Sequence, residues 1–278
     1  MTKKLVPYLL ASPALVLIAA LALGLSSVLG WSFVGSGGSP SLEQYQTLMT
    51  DHVYRGYFTS SLWLSAVSTI VALVLGFPVA YYMEIVASPS QRKLIFATLL
   101  AVFISDYVLR MFGLIIVLGR SGVVNTILVR LGIIDQPLRL MYNEFGVLVG
   151  LVAGILPFMI LSLNGVIARL DRSLPEAASL LGARPRTILM QITLPLCIPG
   201  IVAGSMLSFL LSLNSFVTPM LLGGGTVDMI AVLIFDQAIN LANLPLGAAA
   251  AMLLFLLCAG SVTFFNVLGE RYQARFQK

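Results

Sequence analysis

Residues 169–195 read RLDRSLPEAASLLGARPRTILMQITLP, a charged and polar run in a chain that otherwise avoids charge. Of the 278 residues, 59% are hydrophobic and 10% charged, with a mean hydropathy of +1.00. Soluble domains carry about 25% charged residues, so the bilayer is the solvent for most of this chain. The run at 169–195 must face water, where something aqueous can contact it. Ser173-Leu174-Pro175-Glu176 has the form of a capping box, Ser173 accepting from a first-turn amide and Glu176 reaching back. Pro175 in the first turn loses no helical hydrogen bond. Ala177, Ala178, Leu180 and Leu181 continue the helix and Gly182 ends it. Arg184-Pro185 turns the chain away from helix at Arg184, and Pro185 opens a second segment leading through Ile188 and Ile192 to Leu194-Pro195. The predicted local structure is helix, bend, helix.

Outward from this elbow the chain is apolar. A hydrocarbon core about 30 Å thick needs roughly 20 apolar residues per helix. Runs of that size predict spans over 5–30, 59–83, 94–118, 145–168, 199–219 and 245–268. The fold class is an all-α membrane protein of six transmembrane helices, one membrane domain over 1–278 with the polar loop 169–196 inside it. Lys3 and Lys4 precede a first apolar run that exceeds the roughly 7–15 residues of a secretory signal core, so it is predicted to be retained as a span. Between 31 and 58, a turn rich in Gly35, Gly37, Gly38 and Pro40 precedes Ser41-Leu42-Glu43-Gln44, a second capping-box form opening a short helix with Leu42, Tyr45 and Met49. In the segment 119–143, Val123, Val124, Ile127, Leu128 and Leu131 recur at helical spacing, predicting a short interfacial helix that sets Arg120 and Arg130 among headgroups.

Lys and Arg near span ends are retained on the cytoplasmic side. With both termini inside, Lys3, Lys4, Arg92, Lys93, Arg169, Arg172, Arg184, Arg186, Arg271, Arg275 and Lys278 are cytoplasmic, eleven of the sixteen. Arg55, Arg120, Arg130 and Arg139 fall outside, and Arg110 alone lies within a span. Topology thus accounts for the net charge of +5. No basic block lies outside the apolar runs, so nucleic acid is not a predicted partner. Cys197 and Cys258 sit in apolar runs, as small buried hydrophobes do. His52 is the single histidine and has no Cys or carboxylate cluster near it, so no metal ligand set is legible. Gly223-Gly224-Gly225-Thr226 lacks the Gly-Lys-Ser/Thr of a phosphate loop, and nucleotide must bind elsewhere.

Glu176-Ala177-Ala178, three residues, Gly182, then nine residues to Ile192 and Leu194-Pro195 resembles the EAA loop of binding-protein-dependent ABC importer permeases. The resemblance extends over about 42–268 and is nearest to spermidine/putrescine-type permeases of the first-subunit kind. Gly76-Phe77-Pro78 with Tyr81, Val123-Val124-Asn125-Thr126, Leu156-Pro157-Phe158-Met159, Leu170-Asp171, Pro199-Gly200-Ile201 with Gly204, and Phe216-Val217-Thr218-Pro219 with Gly223-Gly224 carry it, in that order. It implies a type I, methionine-importer-like fold in a bacterial inner membrane. It implies that Glu176, Ala177, Ala178, Leu181 and Gly182 couple the chain to an ATPase dimer. A second permease and a periplasmic binding protein are the other implied partners. ATP and Mg are then held by the ATPase, so the chain carries no cofactor and is not itself an enzyme.

Asp106 and Arg110, four residues apart in the predicted third span, fall on one face, and charges at that depth are paired or functional. Either they neutralise each other, or Asp106 with Tyr107 contacts a cationic solute by charge and ring face. In the fifth span Ser212, Asn214, Ser215 and Thr218 interrupt an apolar run beside Phe216. Asn214, Phe216 and Thr218 are therefore candidates for the solute path, and an interhelical hydrogen bond is the alternative role of Asn214. An ion-coupled carrier acting without an ATPase is the competing function. It would need buried carboxylates, of which the predicted spans hold Asp106 alone.

Overall fold

The computed structural model describes residues 6–35, 37–171 and 173–276. Lys3, Lys4, Arg172 and Lys278 of the charge count lie outside these residues, as does the side chain of Arg275. Among the described residues the chain is helical, with no strand beyond an isolated bridge between Val34 and Pro40. Apolar helices long enough to cross a bilayer cover Ser12–Ser32, His52–Val86, Tyr107–Arg130, Glu144–Ile167 and Leu244–Tyr272. The pair Pro185–Leu196 and Ile198–Leu213, bent by 66°, makes a sixth when it is counted as one span.

The chain forms two compact units, Met1–Tyr57 with Ile230–Leu257, and Phe58–Met229 with Cys258–Lys278. In the first, α1 (Val6–Ser32) exposes its apolar side chains on all sides over the described part, as a helix facing lipid does. α2 (Glu43–Thr50) buries Leu48, and its Tyr45 Oη donates to Ser32 Oγ at 2.8 Å. The predicted capping box at Ser41 is not formed. Ser41 Oγ accepts from Glu43 N, while Gln44 Nε2 donates to Val34 O instead of reaching back. α3 (His52–Tyr81) begins in this unit, which also holds α13 (Ile230–Phe235) and the start of α14 (Leu244–Phe276).

The second unit is built around α7 (Glu144–Ile167), whose apolar residues are mostly buried. α11 (Ile198–Leu213) lies along it. Small residues allow the approach: a Cβ at Gly200 would meet Val166 at 2.8 Å, and one at Gly204 would meet Met159 at 2.9 Å. α3 joins this packing through Gly76, against Met159 and Ile160, and through Ser68 Oγ, which donates to Ser212 Oγ at 3.0 Å. The resulting core gathers Ala72, Ala80, Met83, Met159, Leu163 and Cys197.

Two expectations for this unit change, and one unforeseen cap is found. The predicted span 94–118 is two helices, α4 (Pro89–Ile104) and α5 (Tyr107–Leu118). The break follows from side-chain competition with the backbone. Asp106 is extended and its Oδ1 accepts from Leu109 N at 3.0 Å, capping α5 where a span interior was expected. The fifth span is likewise interrupted after Leu213, with α12 (Val217–Leu222) following the gap. A true capping box stands at Ser88 and Gln91, unmarked in the sequence reading, and opens α4.

The short helix expected in this segment is present as α6 (Val123–Arg130). Its one buried residue, Asn125, donates from Nδ2 to Gly119 O at 3.1 Å and Leu138 O at 3.0 Å, and accepts from Leu138 N at 2.8 Å. Replacing Asn125 by Ala is expected to cost about 1–3 kcal/mol, because backbone groups of 119 and 138 lose their partner. A lowered thermal midpoint of the purified protein checks this.

Candidate functional sites

Two places in the second unit gather the candidate residues. The first is the elbow between α7 and α11. α8 (Ser173–Leu180) buries no residue. Its start differs from the predicted capping box: Ser173 is the first helical residue, and Asp171 Oδ1 accepts its N–H at 2.9 Å. The Ser173 hydroxyl also bonds this carboxylate, and the two bonds together hold the Asp171 carboxyl below its ordinary range. A depressed carboxyl pKa contributes its stabilisation above the unfolded value and loses it as pH falls through the folded one. The anchor is therefore complete at neutral pH. At the other end Gly182 takes φ +81, a left-handed conformation that side chains strain. Ala183 N then donates back to Ala178 O, closing the helix end. α9 (Pro185–Ile188) and α10 (Leu194–Leu196), joined by a π-helical turn over Leu189–Thr193, lead to α11. The helix, bend, helix expectation thus holds. Leu180 and Leu181 are 89% exposed, at the tip beside the bend. Glu176, Ala177 and Ala178 lie on the same short helix.

The second place is where α5, α7 and α12 meet. Tyr107 Oη and Thr218 Oγ1 share a hydrogen bond of 2.6 Å, and Tyr107 packs against Gly154, where a Cβ would meet its ring at 3.0 Å. Thr218 Oγ1 also approaches Met111 Sδ at 3.7 Å. The Arg110 guanidinium stands over the Tyr107 ring, 5.3 Å from its centroid, in cation–π geometry. Among the described residues Asp106 and Arg110 form no ion pair with each other; Asp106 is exposed and engaged as a helix cap, and Arg110 Nε is buried without a hydrogen-bond partner. Mutual neutralisation is therefore absent from this conformation. Three candidates, Tyr107, Arg110 and Thr218, come together. Phe216 stands half-buried just before α12, in the helix break. Asn214 ends α11, with Nδ2 donating to Leu210 O at 2.8 Å and Cys258 Sγ at 3.3 Å, which is an interhelical hydrogen bond.

Sequence reading missed an ion pair. Glu84 sits in a π-helical turn, Tyr82–Val86, that follows α3. Its side chain is 2% exposed, and its Oε1 lies 2.6 Å from Arg92 Nη2 in an ion pair. With Met83, Lys93, Phe96 and Asn164 the pair lines a cavity of about 560 Å3, in which Asn164 Oδ1 is buried and has no hydrogen-bond partner. The Ser88-x-x-Gln91 pattern that fixes the start of α4, and with it Arg92, was the available signal.

A family model described as "Binding-protein-dependent transport system inner membrane component" matches residues 93–274. The spermidine/putrescine transport system permease protein PotB of Haemophilus influenzae is 34% identical over 238 residues, 84% of this chain and 82% of that protein. Among solved structures, a bacterial alginate ABC transporter in complex with alginate pentasaccharide-bound periplasmic protein matches with a TM-score of 0.79 at 22% identity, covering 97% of this chain and 96% of that one. The MetNI methionine ABC transporter, in inward-facing conformations, matches with a TM-score of 0.57 at 17% identity, covering 79% and 95%. The fold is thus that of ABC importer permeases, several helices crossing the inner membrane. The chain belongs to the binding-protein-dependent transport system inner membrane component family. It is a permease subunit of an ABC importer, and the competing reading as an ion-coupled carrier is not sustained.

Removing Arg92 is expected to harm the protein more than removing both members of its pair. Arg92→Gln removes the paired guanidinium from a buried carboxylate, a loss of about 1–3 kcal/mol at this half-exposed position. Adding Glu84→Gln should recover part of it, and thermal midpoints of the three variants in detergent test the ordering.

Proposed function

We propose that the chain forms half of the translocation pathway of an importer for a small cationic, amino-bearing solute of the polyamine class. A second permease supplies the other half, a periplasmic binding protein delivers the solute, and an ATPase dimer, holding ATP and Mg, drives the cycle. ATP hydrolysis is then foreign to this chain, which needs no cofactor or metal of its own. Both termini and the elbow lie in the cytoplasm. The spermidine/putrescine permease relative supports the solute class.

The observation that carries the coupling role is the elbow itself. A short helix with no buried residue and two leucines fully presented at its tip has no packing reason to exist within this chain. It suits a groove on another protein. Ala177 and Ala178 allow close approach, Leu180 and Leu181 supply apolar area, and the left-handed Gly182 sets the bend. Closure of the ATPase dimer would draw α8 with it. Because α7 enters the elbow and α11 leaves it, and the two are packed along each other, the pull rocks them together. On the solute side, Asp106 offers an exposed carboxylate at the start of α5. Tyr107 offers a ring face, with Arg110, Phe216 and Thr218 beside it and Asn214 ending α11. The buried Arg110 Nε gives this region a donor that the subunit itself does not satisfy.

Two experiments on the importer reconstituted in vesicles test this reading. Gly182→Asp strains the bend, by about 1–2 kcal/mol for an L-residue in the left-handed region. Insertion and ATPase association should persist while solute uptake per ATP hydrolysed falls severalfold; normal coupling in that variant contradicts the elbow's role. Asp106→Asn should raise the concentration of spermidine or putrescine needed for half-maximal uptake, with little change in the amount of assembled complex. Loss of assembly with unchanged affinity contradicts the solute contact.

A further inference from the structure

The loop region around α6 holds a second cavity, of about 550 Å3, lined by Arg120, Pro137, Leu138, Arg139, Leu140 and Tyr142 together with the end of α5. Its volume is within the range of about 300–1,000 Å3 typical of small-ligand sites. Two arginines, Arg120 and Arg139, both exposed, are among its lining residues, and among the described lining residues there is no Asp or Glu. The wall is fixed from behind. Asn125 ties Leu138 to Gly119 through three hydrogen bonds, Tyr142 N donates to Leu222 O at 2.8 Å, and Thr226 Oγ1 donates to Tyr142 O at 2.9 Å. The cavity is thus a braced pocket whose lining carries two arginines and no carboxylate.

Its surroundings indicate what fits it. Val123, Ile127 and Leu131, at i, i+4 and i+8, are exposed along α6 and the residue that ends it, and Ile116 is exposed on α5. A continuous aliphatic stripe of this kind at the end of a membrane span faces the boundary between headgroups and acyl chains. A water-borne acidic partner would leave that stripe uncovered, whereas a phospholipid meets both features. Its phosphate pairs with arginine forks, which recognise phosphate in bidentate fashion, and its chains lie on the aliphatic stripe.

We propose that Arg120 and Arg139 form a binding site for the headgroup phosphate of an anionic phospholipid, with α6 as the seat of its acyl chains. The importer complex, purified in mild detergent and exchanged against an equimolar mixture of phosphatidylglycerol and phosphatidylcholine, is assayed by native mass spectrometry for retained lipid. The expected result is a preference for phosphatidylglycerol of about tenfold, equivalent to roughly 1.4 kcal/mol. Arg120→Gln with Arg139→Gln should abolish that preference, and Arg130→Gln, on α6 but outside the cavity lining, should keep it. Equal retention of both lipids by the unaltered complex overturns the proposal without recourse to any variant. So does a preference that survives the double substitution. Displacement by inorganic phosphate at the lipid's own concentration would show a free-anion site instead. Unchanged lipid retention with lost binding-protein-dependent uptake in the double variant would assign the arginines to a protein partner.

Discussion

The contact on which the rest of the second unit depends is the close packing of α11 along α7. In a bilayer, apolar burial does little to bring helices together, because lipid tails are as apolar as leucine. Shape has to do it. Gly200 and Gly204 on α11 let Val166, Ser162 and Met159 of α7 approach to distances that any Cβ would obstruct. Gly76 of α3 uses the same Met159 from another side. The elbow is spliced between these two helices, so a force on α8 acts on both at once. Under the proposed coupling, the tightness of the α7/α11 seam and the exposure of α8 are two parts of one mechanical arrangement: a stiff pair with a free handle.

The same solvent explains how the chain tolerates its interruptions. A backbone break inside an apolar region leaves amides and carbonyls that lipid cannot satisfy. Each break here carries its own remedy. Asp106 accepts the Leu109 amide, Asn214 donates to Leu210 O and Cys258 Sγ, and Tyr142 N donates to Leu222 O. Polar residues that look like isolated defects in a hydropathy profile are thus the groups that make local departures from helix affordable. Those departures also put Asp106 and Phe216 on irregular backbone, the kind of place where intramembrane solute sites are built, with Tyr107 and Thr218 in the first turns of the helices that follow.

Much of this architecture was legible because it follows from long apolar averages and local spacing. The fourth span, the amphipathic α6, the helix ended by Gly182 and the second segment opened by Pro185 all came from such patterns. The breaks at 105–106 and after Leu213 did not, since one Ser, Asp or Asn barely alters a window of twenty residues. Capping was legible in form but not in place. Ser41 and Ser173 match the pattern yet serve otherwise, Ser173 because Asp171 two residues earlier accepts its amide, whereas Ser88 matches and does cap. Glu84 and Arg92 are eight positions apart across a π-helical turn and a fresh helix start, a geometry no periodic template contains. The Asp106/Arg110 spacing suggested an ion pair because a continuous helix was assumed; once Asp106 becomes a cap, the spacing loses that meaning.

The central claim is that α8 is held from the cytoplasm by an ATPase. The most direct measurement is thiol accessibility of Leu181→Cys, in a background with Cys197 and Cys258 replaced, using a membrane-impermeant maleimide. The account predicts labelling in inside-out vesicles and not in intact spheroplasts, with strong protection when the ATPase is bound. Labelling from the periplasmic face, or equal labelling with and without the ATPase, would contradict it.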